Sequence, residues 1–111
     1  MASRTSVSQL YAAIGQLAYT ESQMATMPLS PFVRTDVPRL TDQSTSLATL
    51  AANIHARDPN EMSQDDVDSA SAHVLAAQTP FDVINDTNNN RLDSGPVFAL
   101  VDSAIEAIRA I

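Results

Sequence analysis

Cysteine, lysine and tryptophan are absent from this sequence of 111 residues, and glycine occurs only twice. Without cysteine, the chain can form neither a disulfide nor a thiolate metal site. Gly15 and Gly95 stand alone, so there is no glycine-rich loop to hold a phosphate and no glycine-flanked nucleophile. These absences remove several common kinds of enzyme site.

Positive charge is also scarce. Six arginines are spread along the chain against 13 acidic residues, which gives a net charge of −7. A chain with this balance repels a phosphate backbone. We therefore predict that it binds no nucleic acid.

Long apolar runs are missing as well. No stretch approaches the ~20 apolar residues that a membrane helix needs, and the first residues lack the apolar region of a secretory signal. We expect no membrane span, and a location in the cytoplasm or within a particle or assembly.

The residues that are present favour helices. Hydrophobic residues make up 44% of the chain and recur at spacings of three and four, the period of one helix face. The pattern predicts helices over about 7–27, 41–57, 63–78 and 95–111, the last with the widest apolar face. The predicted fold class is all-α, a single domain built as a small four-helix bundle or an irregular helical array.

Prolines and polar residues set the predicted boundaries. Pro28, Pro31 and Pro38 interrupt any helix over 28–40, so these residues are predicted to form an extended arm held by its apolar side chains. Ser63 is predicted to cap the third helix, and residues 80–93 to form a loop rich in Asn and Asp.

The arm and the last helix carry more apolar surface than so small a domain needs for its own core. We predict that this surface contacts another protein, either a second copy or a larger assembly. The predicted interaction residues are Leu29, Phe32, Val33 and Val37 in the arm and Phe98, Ile105, Ile108 and Ile111 in the last helix.

The segment from Asp86 to Asp93 resembles the start of an EF-hand calcium loop. Oxygen side chains at alternate positions can converge on one hard cation, and the candidate ligands are Asp86, Asn88, Asn90 and Asp93. Two positions depart from the pattern, because Arg91 replaces the turn glycine and Val97 replaces the terminal acid. The alternative interpretation is an Asx-rich turn before the last helix.

Other polar residues do not form a recognisable catalytic set. His55 and His73 lie on different predicted helices, and a zinc site needs three or four converging ligands. Asp65, Asp66 and Asp68 lie in a predicted first turn, where the helix dipole favours negative charge whatever the function. We predict no enzyme activity and no small-molecule substrate.

These observations lead to one main functional hypothesis and two alternatives. The main hypothesis is a non-enzymatic structural or interaction protein, a small acidic helical subunit of a homo- or hetero-oligomer such as a virus-particle accessory or cement protein. The first alternative is a helical module that binds a divalent cation through the loop 86–93. The second is an adaptor or effector that holds a partner in a concave apolar groove.

Overall fold

The computed structural model describes residues 1–26, 34–87 and 94–111, with side chains for all of these except Arg34, 83–87 and Ser94. This part of the chain is helical, has no strand, and measures 44 × 22 × 18 Å. The predicted all-α class is confirmed. The helices are α1 (Arg4–Thr26), α2 (Val37–Ala56), α3 (Gln64–Thr87) and α4 (Ser94–Arg109), with 3-10 turns at Arg34–Asp36 and Pro59–Glu61.

The helices form a bundle in which each packs on two neighbours. α1 contacts α2 and α3, and α4 contacts α3 and, more sparsely, α2. The order around the bundle is therefore α1, α2, α4, α3. The N–H of Ala2 donates to the carbonyl of Met62 at 2.9 Å, which places the start of α1 beside the connection between α2 and α3. Consequently α1 and α2 are antiparallel, while α1 and α3 run in the same direction.

Two glutamines of α3 bind hydroxyl groups of α1. The Gln64 Nε2 donates to the Ser6 Oγ at 3.1 Å. Four turns further on, the Gln78 Nε2 donates to the Thr20 Oγ1 at 3.2 Å. These bonds join the two helices near both ends of their contact.

The core is built from side chains spaced alternately three and four residues apart. This spacing keeps one face of each helix toward its neighbours in a four-helix bundle. Its most buried members include Leu10, Ile14, Leu17, Leu40, Leu47, Val67, Val74, Phe81 and Val101.

α2 begins earlier than the predicted Thr41. It starts at Val37, directly after the 3-10 turn at Arg34–Asp36, so residues 34–40 are helical rather than part of an extended arm. Pro38 lies in the first turn, where its missing N–H breaks no hydrogen bond within the helix. The earlier part of the predicted arm, 28–33, lies outside the described residues.

α3 continues through Pro80 to Thr87, past its predicted end at residue 78 and through part of the predicted loop. Proline in a helix interior costs ~3 kcal/mol, because it lacks an N–H and crowds the preceding turn. The buried spacing nevertheless continues on both sides, and Ala77 and Phe81 are fully buried. Burial of a Phe side chain is worth about 1.5–3 kcal/mol, which offsets much of the cost of the proline, and the burial of Ala77 adds to it.

α1 and α3 begin with serine caps, whereas Asp36 at the start of α2 makes no side-chain cap hydrogen bond. The Ser3 Oγ accepts the Ser6 N–H at 3.0 Å, so α1 is capped by Ser3 and begins three residues before the predicted start. The Ser63 Oγ lies 3.4 Å from the Asp66 N at the start of α3, the position predicted for the cap. None of the described helices combines the length and the apolar composition that crossing a membrane requires.

Gly15 lies in the interior of α1 and is exposed, and a Cβ built on it meets no atom within 4 Å. We expect Gly15→Ala to raise the free energy of unfolding by roughly 0.5–1 kcal/mol, because Ala loses less backbone freedom on forming a helix. Urea denaturation measures the change. The matched control is Ala12→Gly, also exposed on α1, which should lower stability by a similar amount. An unchanged or lower stability of Gly15→Ala would contradict the open surface at this position.

Candidate functional site

Three polar residues of the described chain are buried, Thr20, Glu21 and Gln43, and the last two carry the larger side chains into core positions of the bundle. Glu21 follows Leu17 by four residues and precedes Met24 by three, and its side chain is fully buried. Gln43 stands in the same way between Leu40 and Leu47 in α2, and it is 5% exposed. The spacing that builds the core therefore also carries these two side chains into it.

Gln43 joins α2 to α4. Its Nε2 donates to the Phe98 carbonyl at 3.2 Å and to the Asp102 Oδ1 at 2.8 Å. Arg39 binds the other oxygen of Asp102 at 2.7 Å, and its guanidinium carbon lies 5.0 Å from the centre of the Phe98 ring. We call these four residues the polar clip. It fastens the first half of α2 to the start of α4.

Glu21 has no comparable partner. Among the described residues, neither of its carboxylate oxygens has a hydrogen-bond partner, and the same is true of Gln43 Oε1 and Gln78 Oε1. Burial, and secondarily the negative charge of Asp102, raises the pKa of the Glu21 carboxyl from 4.5 to about 8. Removal from water disfavours the charged form, so the protonated form predominates at neutral pH.

A surface groove runs along the seam between α2 and α4, where these helices pack sparsely. Its upper hollow, about 720 Å³, lies over the polar clip and its lower hollow, about 510 Å³, lies toward the end of α4. We call the two together the α2/α4 groove. The upper hollow is lined by Thr35, Pro38, Arg39, Asp42, Gln43, Ser46, Asp102, Ile105, Glu106 and Arg109, and the lower one by Leu50, Asn53, Ile54, Ala56, Arg57, Ile108 and Arg109.

Three arginines line this groove, and three acids, Asp42, Asp102 and Glu106, line its upper hollow. Arg39, Arg57 and Arg109 are three of the six in a chain without lysine. The lining of the lower hollow contains two of them and no acid. Arg57 donates to the Ile111 carbonyl at 2.7 Å, and Arg109 binds Glu106 at 3.2 Å. Each guanidinium has five N–H groups, so donors remain for another molecule.

The structure places the predicted interaction residues in three environments. Phe98, Ile105 and Ile108 of α4 are buried in the core of this chain. Val37 and Ile111 are half-buried. Leu29, Phe32 and Val33 lie outside the described residues. Ile105 and Ile108 also line the α2/α4 groove, which brings part of the predicted set to its floor.

The predicted calcium ligands are not brought together in the part of the chain that the structure describes. Asp86 lies in the last turn of α3, without a described side chain, and Asn88, Asn90 and Asp93 fall outside that part. Within it, no three His, Asp or Glu side chains lie close enough to hold a metal ion. Calcium binding by 86–93 stays a prediction.

The histidines lie on separate surfaces. The His55 ring packs against Tyr11 with 4.6 Å between ring centres. The His73 Nδ1 lies 2.8 Å from the carbonyl of Ser69 in its own helix. Asp65 and Asp66 occupy the first turn of α3, as predicted. The contacts of the two histidines, a ring packing and a hydrogen bond within one helix, are ones that histidines make in proteins without any catalytic role.

The comparisons with known proteins assign no relative. The chain matches no protein-family model, no curated protein and no solved structure. The α2/α4 groove and the buried polar residues beside it are therefore the features that bear on function.

We expect the free energy of unfolding to fall as the pH rises from about 4.5 to about 8, the unfolded and folded pKa values of Glu21. Between these values the folded state holds a proton that the unfolded state has released, so stability decreases by up to ~1.4 kcal/mol per pH unit from this group. Glu21→Gln removes the titration. Chemical denaturation across this pH range should show that the free energy of unfolding of the variant increases relative to that of the native protein as the pH rises.

The control for this experiment is Glu61→Gln, because Glu61 is an exposed acid. Its stability curve should run parallel to that of the native protein. If the Glu21→Gln curve is also parallel, Glu21 titrates in the folded protein as it does in water, and the buried placement is contradicted.

Proposed function

We propose that this chain is a non-enzymatic interaction protein, a small acidic helical subunit that holds a helix of another protein chain in its α2/α4 groove. The observation that carries the proposal is that α2 and α4 pack sparsely and leave a hollow between them, lined by half-buried Leu50, by buried Ile54 and Ile108, and by exposed arginines. The other seams of the bundle are packed more fully.

The dimensions of the groove suit a helix. It follows α2 from Pro38 to Ala56, a length of about 27 Å at 1.5 Å per residue. An amphipathic helix in such a groove places apolar side chains three, four and seven residues apart on the floor. Leu50, Ile54 and Ile108 supply that floor in the lower hollow.

The charges of the lower hollow favour one kind of bound helix over others. Arg57 and Arg109 border the lower hollow without an acid in its lining. Arginine binds carboxylates with two parallel hydrogen bonds when geometry allows. We therefore propose that the bound helix carries acidic residues beside its apolar ones.

A photo-crosslinking amino acid placed at Asn53, in the lower hollow, tests this function. We expect an adduct of one discrete mass, with a second copy or with a different protein of the source organism. The same amino acid at Ala12, exposed on α1, should give none. Ala56→Arg puts a long side chain at the edge of the hollow and should abolish the adduct at Asn53.

One control and two contradicting outcomes make this test decisive. Circular dichroism must show the same melting behaviour for Ala56→Arg and the native protein, since Ala56 is exposed. Equal adducts at Asn53 and Ala12 would contradict a specific groove. The absence of any adduct, with purified protein and with native extract, would contradict the proposed function itself.

A further inference from the structure

We propose that the helix bound in the α2/α4 groove is α3 of a second copy of this chain, so that copies join head to tail. This inference rests on the function proposed above and identifies the partner. It depends on a stripe of three residues on α3 that carries one exposed leucine and complements the lower hollow in charge.

The stripe consists of Asp68, Leu75 and Asp82, spaced seven residues apart. Leu75 is 62% exposed, the most exposed large aliphatic side chain of the described residues after Met1. Seven residues span about 10 Å of helix, so one carboxylate lies about 10 Å to each side of the leucine along the axis. We call these residues the α3 stripe.

The carboxylates of the α3 stripe have no cation of their own chain. Asp68 accepts a hydrogen bond from Gln64 at 2.8 Å, and Asp82 accepts one from Gln78 at 3.2 Å. Over its whole length α3 contains five aspartates and neither lysine nor arginine. Among the described residues, no arginine pairs with either stripe acid. Their negative charge is available to another molecule.

The lower hollow offers the complementary surface. Its volume of about 510 Å³ leaves room for one large aliphatic side chain beside half-buried Leu50, where only the edges of buried Ile54 and Ile108 are reached. Arg57 and Arg109 line it without an acid. In a chain of net charge −7, most possible contacts between two copies bring like charges together. Pairing the stripe with this hollow brings opposite charges together around an apolar centre, which favours this contact over others.

The two surfaces lie on different sides of the bundle. Gln64 and Gln78 each lie one helical turn before an aspartate of the stripe, and both bind α1. The stripe therefore runs along the flank of α3 that is next to α1. The groove lies between α2 and α4, the pair of helices on the other side of the bundle. A contact between two different surfaces leaves each copy free to donate a stripe and accept one at once. Such contacts generate rings or open filaments.

Reversal of charge on each surface, followed by mixing, tests the inference. Sedimentation across a wide concentration range should show that the native protein forms oligomers whose masses are whole multiples of the mass of one chain. Asp68→Arg with Asp82→Arg reverses the stripe, and Arg57→Glu with Arg109→Glu reverses the hollow. Each double variant alone should associate about a hundredfold more weakly, since like charges then face each other. An equimolar mixture of the two should recover the association, because every contact is again between opposite charges.

Matched controls separate local from general charge effects. Glu61→Arg with Asp66→Arg changes net charge as much as the stripe variant does, at exposed acids outside the stripe, and should associate like the native protein. Leu75→Glu provides a second stripe variant at an exposed position, so its folding does not depend on the charge reversals. It should be monomeric.

The outcomes distinguish this inference from the proposed function. A native protein that stays monomeric while Asn53 crosslinks to a different protein overturns the head-to-tail inference and leaves the function standing. Association that survives both charge reversals, that fails to return on mixing, or that responds equally to the control also overturns it. Loss in each variant with recovery in the mixture is the result expected.

Discussion

The alternation of three- and four-residue spacings on all four helices is the constraint on which the rest of this structure depends. Packing of this kind turns one face of every helix inward along its whole length. It decides which side chains are buried even where their chemistry or local geometry argues otherwise. Glu21 is drawn into the core by the spacing of Leu17 and Met24. α3 passes through Pro80 because Ala77 and Phe81 are buried on either side of it.

The helices do not pack equally closely at every seam of the bundle. The seam between α2 and α4 is packed sparsely, and the polar clip of Gln43, Asp102, Arg39 and Phe98 joins these helices at one end. Polar bonds of this kind are directional and do not fill the groove beside them. The open groove, the buried acid and the clip thus belong to one region, in which the core is least like a uniform apolar interior.

The sequence predicts the number of helices and most of their buried residues, because apolar periodicity reports directly on packing. It fails where a local rule is overridden. Pro38 indicates an interruption when read alone, yet it is compatible with a first turn. Pro80 indicates an end, yet long-range burial of Phe81 carries the helix further. Local residue preferences do not contain the contacts that decide these cases.

The site was harder to predict than the fold. The burial of Glu21 and Gln43 has a signal in the sequence. Glu21 stands four residues after a leucine and three before a methionine, and Gln43 stands three residues after one leucine and four before another. A search for apolar residues alone passes over them. The α2/α4 groove has no such signal, because Arg57 and Arg109 are 52 positions apart and meet only when α2 and α4 lie side by side. Which helices become neighbours depends on the whole bundle.

The two glutamine bonds between α1 and α3 have a consequence for the alignment of these helices. The apolar residues of α3 repeat after seven positions, with Val67 and Val74 alike and Ala70 and Ala77 alike. A slip by seven residues would therefore set like residues against α1 at these two positions, although Phe81 breaks the repeat at the next one. A slip in one direction would, however, bring Gln64 opposite Ala13, and a slip in the other direction would bring Gln78 opposite the same residue. Alanine has no hydroxyl group to accept the glutamine hydrogen bond. Buried polar partners that fit only one alignment are a known means of selecting it. The pairs Ser6 with Gln64 and Thr20 with Gln78 thus act together with Phe81 to select a single register.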